Sequence, residues 1–129
     1  MIVVDSHLIA HLLLPGQHTG VVEKLFRENP HWIAPQNWKV EFLDILRRYE
    51  EESKAGVLNA HQVLIHAEKL MERGTFEVNL DRALSMARRV KSSTSAGFYL
   101  ALAEDRKTQF YTFREDYLYA SPAIAKRPE

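Results

Sequence analysis

Residues 1–6 read Met-Ile-Val-Val-Asp-Ser, and this stretch decides the fold class. A short run of apolar, mostly β-branched residues predicts a strand buried inside a parallel sheet. Asp5 ends the strand, and residues 6–14 are predicted to form a helix that stops at Pro15-Gly16. The chain therefore opens with a strand that runs directly into a helix, which is typical of an α/β fold.

The rest of the chain alternates in the same way. Strands are predicted at residues 32–34, 75–78 and 109–113, and helices at residues 19–28, from Pro35 to about 53, 58–73, 82–90 and 96–107. This alternation predicts an α/β fold with a parallel sheet in one domain, residues 1–120. Residues 121–129, which include Pro122 and Pro128, are predicted to be a loose tail.

Composition excludes several classes of protein. The 129 residues are enough for one domain, and 46% hydrophobic residues argue against disorder. Seventeen basic and seventeen acidic residues cancel, so a nucleic-acid site would have to be a local patch. The absence of cysteine excludes disulfides, thiolate zinc sites and cysteine nucleophiles, and it fits a cytoplasmic location. The apolar stretch at residues 8–14 is too short to span a membrane.

Two features fall at the predicted carboxyl ends of strands, where parallel sheets place their ligands. One is Asp5, and the other is the stretch at residues 112–116. Both features carry carboxylates, so this edge of the sheet is the predicted functional site.

Three sequence anchors, in order and covering nearly the whole chain, resemble the PIN domain in its small VapC-like toxin form. The first is Ile2-Val3-Val4-Asp5-Ser6 running into a helix. The second is Ala34-Pro35 before a helix with Glu41 and Leu46-Arg47-Arg48. The third is Tyr99-Leu100-Ala101-Leu102-Ala103-Glu104, followed by a strand ending at Thr112.

The resemblance implies a three-layer α/β/α sandwich around a central parallel sheet. It also implies a metal-dependent ribonuclease of a toxin–antitoxin system, which acts on RNA, forms a homodimer and is silenced by an antitoxin protein. The family site is a cluster of carboxylates around Mg²⁺ or Mn²⁺, and hard divalent ions prefer such oxygen ligands.

Only two of the family's four acidic positions carry an acidic residue in this chain. Asp5 matches the first carboxylate and Glu41 matches the second, so the resemblance makes both catalytic and metal-binding residues. The third position is Ala96 and the fourth is Arg114. Ser6 and Thr112 are expected to line the site. An active site with two acids missing predicts impaired activity, or a site that holds no metal.

Each residue also has a structural interpretation. Asp5 or Ser6 can cap the following helix. Glu41 can be a surface residue, although no Lys or Arg lies three or four residues away to pair with it. Asp44 is predicted to pair with Arg48 and to be structural. The serines and threonine at residues 93–95 are predicted to cap the next helix rather than to replace the carboxylate missing at Ala96.

Arg114 has two interpretations. In one, the loop shifts so that Glu115 or Asp116 supplies the missing metal ligand. In the other, which is favoured, Arg114 points into the site and pairs with Asp5 or Glu41 in place of a cation. The second interpretation predicts a site whose acids are neutralised by protein.

Several histidine, arginine and tyrosine residues have both a functional and a structural interpretation. His7 and His11 have a spacing that can bind zinc but lack a third ligand, so packing or surface exposure is the better prediction. Arg47-Arg48 can meet RNA phosphates or form a solvated helix face. Tyr117 and Tyr119 are predicted to pack in the core or at a dimer contact.

Three functions therefore compete. The first is an active PIN-type ribonuclease. The second is a PIN-like domain that binds RNA or an antitoxin-like protein without cutting, which Ala96 and Arg114 favour. The third is another α/β protein, such as a phosphotransfer receiver or an aspartate-nucleophile phosphatase. The third fits poorly, because Asp5-Ser6-His7 lacks the acidic pair that such sites need.

Overall fold

The structure is a computed structural model that describes residues 1–52 and 59–129. In these two ranges it contains β1 (Ile2–Val4), α1 (Ser6–Leu13), α2 (Thr19–Glu28), β2 (Trp32–Pro35), α3 (Trp38–Glu52), α4 (Ala60–Leu70), β3 (Thr75–Phe76), α5 (Leu80–Val90), α6 (Thr94–Asp105), β4 (Phe110–Tyr111), α7 (Glu115–Ala120) and β5 (Ala125–Lys126). None of the helices in these ranges has both the length and the apolar character needed to cross a membrane.

The five strands form one parallel sheet in the order β3-β2-β1-β4-β5. β1 is the central strand, because Ile2 pairs with Trp32 on one side and Val3 pairs with Phe110 on the other. All three residues of β1 are buried, as expected for a strand covered by helices on both faces. The predicted α/β fold with a central parallel sheet is confirmed.

Apolar residues at helical spacing form the core. In α3 the residues at positions i, i+4 and i+8, Trp38, Phe42 and Leu46, are buried. Most of α6 is buried as well, including Tyr99, which stacks on Phe110 of β4 at 5.1 Å between ring centroids. These helices hold the carboxyl end of β1 in a fixed position.

Helices α5 and α6 pack against each other at very short range. A Cβ atom at Gly97 of α6 would lie 2.3 Å from the carbonyl oxygen of Ala83 and 3.1 Å from the Cβ of Ala87. Only a residue without a side chain allows the two backbones to approach so closely. Gly97 therefore sets the distance between the two helices.

Several helix and strand boundaries in the structure differ from the predicted ones. Pro35 belongs to β2 instead of the first turn of α3. The side-chain amide of Gln36 donates to the carbonyl of Val78 and accepts from the N–H of Val78, and these two bonds extend the pairing beyond the strand. Helix α5 is capped by Asn79, whose side chain accepts from the N–H of Arg82, so α5 begins earlier than predicted. The predicted end of α3 near residue 53 and the predicted start of α4 at residue 58 lie outside the described residues.

The carboxyl-terminal segment differs from the loose tail predicted for residues 121–129. Ala125 pairs with Phe110 and Lys126 pairs with Tyr111, so β5 is an edge strand of the sheet. The N–H of Thr112 also donates to the carbonyl of Lys126 at 3.0 Å. Two short elements, α7 and β5, were not predicted, since each has too few residues to show a periodic pattern.

Candidate functional site

A pocket of about 270 Å³ opens at the carboxyl ends of β1 and β4, and we call it the acidic pocket. Its walls are Asp5, Ser6, His7, Glu41, Asp44, Ile45, Arg48, Ser95, Arg114 and Tyr117. The structure thus brings Asp5 and Glu41, which lie far apart in the chain, to one cavity. This is the edge of the sheet at which the sequence predicts a site.

Asp5 lies at the floor of the acidic pocket and is buried. One carboxylate oxygen accepts from the N–H of Leu8 at 3.0 Å and caps α1, and the other accepts from the Thr112 hydroxyl at 2.6 Å. Burial raises the pKa of Asp5, and the negative charge of Glu41 adds to this effect, while the bonds from Thr112 and Leu8 oppose it. Asp5 therefore caps α1 and also borders the acidic pocket.

Three protein groups fix the carboxylate of Glu41. The Tyr99 hydroxyl donates to Oε1 at 2.5 Å, and the Ser6 hydroxyl donates to the same oxygen at 3.2 Å. The Asn37 amide donates to Oε2 at 3.2 Å from one turn earlier in the chain. Hydrogen bonds to a charged acceptor are short and strong, so Glu41 is held in one orientation.

Tyr99 is the donor that could not be assigned from the sequence. Its side chain is fully buried, and its pKa is raised well above the ordinary value because of burial and because Glu41 and Asp5 are nearby. The tyrosine is therefore a neutral donor near neutral pH. The contact joins α6 to Glu41 of α3 across 58 residues of chain, and no local pattern in the sequence indicates it.

Replacing Tyr99 by phenylalanine should lower the free energy of unfolding by about 2 kcal/mol, because a buried hydrogen bond to a charged acceptor is lost. Urea unfolding at neutral pH measures the effect, and a double-mutant cycle with Glu41→Gln isolates the contribution of the pair. The matched control is Tyr119→Phe, since Tyr119 is 79% exposed and should change nothing. Equal stability of the two variants would contradict this role of Tyr99.

The position at which the resemblance implies a third acid carries no charge. Ala96 is fully buried, and its N–H donates to the hydroxyl oxygen of Ser93, which caps α6. The predicted capping role within residues 93–95 is therefore confirmed for Ser93. Ser95 lines the acidic pocket and offers a neutral hydroxyl there.

Arg114 lines the acidic pocket, in agreement with the favoured interpretation, but the predicted pair with Asp5 or Glu41 is wrong. Its guanidinium bonds both oxygens of Asp116, at 3.1 and 2.8 Å, and lies 4.2 Å above the Tyr117 ring. The physical reason is local: Arg114 immediately precedes α7, and Asp116 in the first turn is within easy reach. The pair raises the pKa of Arg114 and lowers that of Asp116.

Neither neighbouring acid lines the acidic pocket. Asp116 is engaged by Arg114, and Glu115 meets Arg127 at 3.3 Å while its side chain is 72% exposed. The alternative in which Glu115 or Asp116 replaces the missing ligand therefore receives no support from these contacts. Both remain sequence-level predictions as metal ligands.

The donor set can be tested against the cation that the resemblance implies. Among residues 1–52 and 59–129, no three His, Asp or Glu side chains are grouped so that they could hold a metal ion. Mg²⁺, however, is commonly bound by one or two carboxylates together with waters and substrate phosphate. Asp5 and Glu41 fit that smaller requirement, and they do not fit a four-acid cluster.

Asp44 and Arg48 are site-lining residues that sequence reasoning assigned to a structural pair. No ion pair joins them, and both side chains border the acidic pocket. The signal was present in the helical spacing, because Glu41, Asp44 and Arg48 lie at i, i+3 and i+7 on one face of α3. The predicted Asp44–Arg48 pair is therefore wrong.

Comparisons with known proteins give structural matches but no sequence-level relatives. No family model matches the chain, and no curated protein matches it either. Structures similar to it include three crystal structures. PAE2754 from Pyrobaculum aerophilum has a TM-score of 0.74 and 15% identity, covering 98% of this chain and 89% of its own.

Two further crystal structures are similar to the chain. VapC20 from Mycobacterium tuberculosis, a toxin that cleaves the sarcin-ricin loop, has a TM-score of 0.74 and 15% identity, with both chains fully covered. FitAcB from Neisseria gonorrhoeae has a TM-score of 0.64 and 13% identity, covering 97% of this chain and 96% of its own. The chain therefore has the PIN-like fold of the VapC toxins over its whole length.

Proposed function

We propose that this chain is a VapC-like toxin that cleaves RNA in the acidic pocket, with one Mg²⁺ or Mn²⁺ ion held by Asp5 and Glu41. The observation that carries the proposal is the meeting of these two acids at the carboxyl edge of the sheet, each with its oxygens oriented by protein donors. The fold supports it, because the same architecture occurs in a toxin that cleaves the sarcin-ricin loop.

A bound cation would activate water and stabilise the charge that develops on the phosphate. The chain's own residues prepare the site for that chemistry. Tyr99 and Ser6 hold Glu41, while Thr112 and the N–H of Leu8 hold Asp5. Groups fixed before substrate arrives need no reorganisation during the reaction.

Arg114 supplies a fixed positive charge at the wall of the acidic pocket. Its guanidinium has five N–H donors, and the fork on Asp116 uses two of them. The planar group is also stacked on Tyr117, which restricts its rotation. The remaining donors are suited to a phosphate oxygen of an RNA strand that enters the pocket.

A second candidate function is an RNA-binding or antitoxin-binding domain that does not cut. Ala96 and the engaged Arg114–Asp116 pair favour it, because they leave the acidic pocket with less negative charge than a four-acid site. One cation held by two carboxylates is expected to bind more weakly, and cleavage is expected to be slow. Incubation of RNA with Mn²⁺ or with EDTA separates the two candidates: cation-dependent cleavage supports the first, and binding without cleavage supports the second.

The proposal includes the partners that the resemblance implies: an antitoxin protein, a second copy of the chain, and RNA in the cytoplasm. A supporting observation is the outer surface of α3 and α4, where Val40, Leu43 and Ile65 are exposed. Exposed apolar side chains on neighbouring helices are suited to contact with another protein.

Arg48→Gln should weaken RNA binding equally for all sequences. Arg48 borders the acidic pocket from α3, and loss of one phosphate contact should reduce the slope of log affinity against log salt by about 0.7 for a single strand. Fluorescence anisotropy at several salt concentrations measures that slope. The control is Arg27→Gln on α2, which does not border the pocket. An unchanged slope for Arg48→Gln would remove Arg48 from the RNA interface.

A further inference from the structure

A second cavity, which we call the histidine cavity, adjoins the acidic pocket. It has a volume of about 270 Å³ and lies between α1, the turn at residues 15–18, and α3. His7 and Ile45 border both cavities, and His11 and His18 border only the second. A strand lying in the acidic pocket would therefore have this cavity directly beside it.

The rings beside the histidine cavity are fixed by mutual packing. His18 stacks on Phe113 with ring centroids 4.3 Å apart, and His11 meets both rings edge-on, at 4.9 and 5.5 Å. Phe113 lies between Thr112 and Arg114, so this ring cluster is built onto the segment that borders the acidic pocket. Of these three rings, His11 and His18 border the histidine cavity, so packed aromatic rings lie at its wall next to the proposed phosphate site.

The histidines suit a flat, uncharged ligand better than a metal. Burial lowers the pKa of His11 to about 4, and the nearby His18 and His7 act in the same direction, so its ring is neutral near neutral pH. No three metal-ligating side chains are grouped within the described ranges. Hydrogen-bonding side chains of Gln17 and Tyr49 also border the cavity.

We propose that the histidine cavity binds one base of the RNA strand whose phosphate lies in the acidic pocket. Sequence-specific proteins read single-stranded RNA by stacking splayed bases on aromatic side chains, histidine included, and by bonding their polar edges. The inference rests on the proposed function and adds the site at which base identity is read. In this proposal the ring cluster contacts the base, and the acidic pocket contacts the phosphate.

The test adds a bulky ring at the rim of the cavity without removing any of its groups. A Cβ at Gly16, which borders the histidine cavity, would meet nothing within 4 Å, so Gly16→Phe adds that ring without a steric clash. Gly20 on α2 is equally open but does not border the cavity, so Gly20→Phe is the matched control. Binding of a short single-stranded RNA is measured by anisotropy in EDTA, which prevents cutting. The same measurement uses RNAs with one base removed at successive positions.

Removal of one particular base should weaken binding to the wild-type chain about tenfold, the effect of one lost stacking contact. Gly16→Phe should weaken binding of the intact RNA by a similar factor and become insensitive to that missing base, while Gly20→Phe behaves as wild type. If RNA binds but Gly16→Phe matches Gly20→Phe, the base site is wrong and the proposed function stands. If the wild-type chain binds no RNA in EDTA, the base site is wrong, and the proposed function is judged separately by cleavage in Mn²⁺. A change of oligomeric state in Gly16→Phe alone, with RNA affinity unchanged, would assign the cavity to a second copy instead.

Discussion

The Asp5→Asn variant should cleave RNA about a thousandfold more slowly than the wild-type chain, because stabilisation by a bound cation is worth several kcal/mol. Its Mn²⁺ binding, measured by calorimetric titration, should be lost. The new asparagine would still accept from the N–H of Leu8, and asparagine caps helices as well as aspartate does. The defect would therefore be chemical and not a loss of α1.

The same variant should be more stable than the wild-type chain at neutral pH. Burial raises the pKa of Asp5 above 3.8, so the folded protein holds this proton more tightly than the unfolded chain does. Folding stability consequently falls as the pH rises from about 3.8 through the raised pKa. The asparagine side chain has no charge to desolvate and escapes that loss. Urea unfolding at neutral pH and near pH 4 should show an advantage only at the higher pH.

Asp81→Asn provides the matched control for these measurements. Asp81 lies in the first turn of α5, does not border the acidic pocket, and loses the same charge on substitution. This control variant should cleave RNA and bind Mn²⁺ as the wild-type chain does. If Asp5→Asn retained full cation affinity and cleavage, Asp5 would be only a helix cap and the proposed active site would be wrong.

Gly97→Ala should lower the free energy of unfolding by about 3 kcal/mol, at the upper end of the usual cost of overpacking a core. The added methyl group would lie against the backbone carbonyl of Ala83, which cannot rotate away as a side chain could. Helices α5 and α6 would have to separate along the most extensive helix pair of the fold. Because α6 carries Tyr99, Mn²⁺ affinity should fall together with stability.

The control for Gly97→Ala is a glycine-to-alanine change in α2, at a position where the added methyl group meets no other atoms. Gly20→Ala adds the same methyl group in free space, and it should stabilise the fold by about 0.5 kcal/mol because the unfolded chain loses conformational freedom. Chemical unfolding of both variants gives the comparison. A Gly97→Ala protein as stable as Gly20→Ala would mean that the two helices can separate at little cost.

Periodic patterns made most of the fold predictable. The apolar run of β1 and the spacing of Trp38, Phe42 and Leu46 in α3 indicated the correct elements and buried faces. The errors lie at element boundaries that are determined by a single side-chain contact. Gln36 extends the pairing of β2, and Asn79 starts α5, and both act through hydrogen bonds that no period reveals.

The candidate site was partly predictable for a related reason. Asp5 and Glu41 belong to a strand end and a helix whose patterns are strong, and both line the acidic pocket as expected. The partner of Arg114 was predicted wrongly. Acids in the pocket and in α7 can each pair with this residue, and Asp116 of α7 lies only two residues away in the chain. Tyr99 was not predicted as a donor to Glu41, since that contact spans 58 residues and depends on the folded arrangement of the chain.

The pairing of β5 with β4 makes the acidic pocket sensitive to the far end of the chain. Thr112 bonds Lys126 through its N–H and Asp5 through its hydroxyl, so one residue joins the edge strand to the pocket floor. Cutting the chain before β5 would loosen that residue and would also uncover the edge of β4, on which another chain can pair and aggregate. Removal of residues 125–129 should therefore lower both the Mn²⁺ affinity of the acidic pocket and the solubility of the protein.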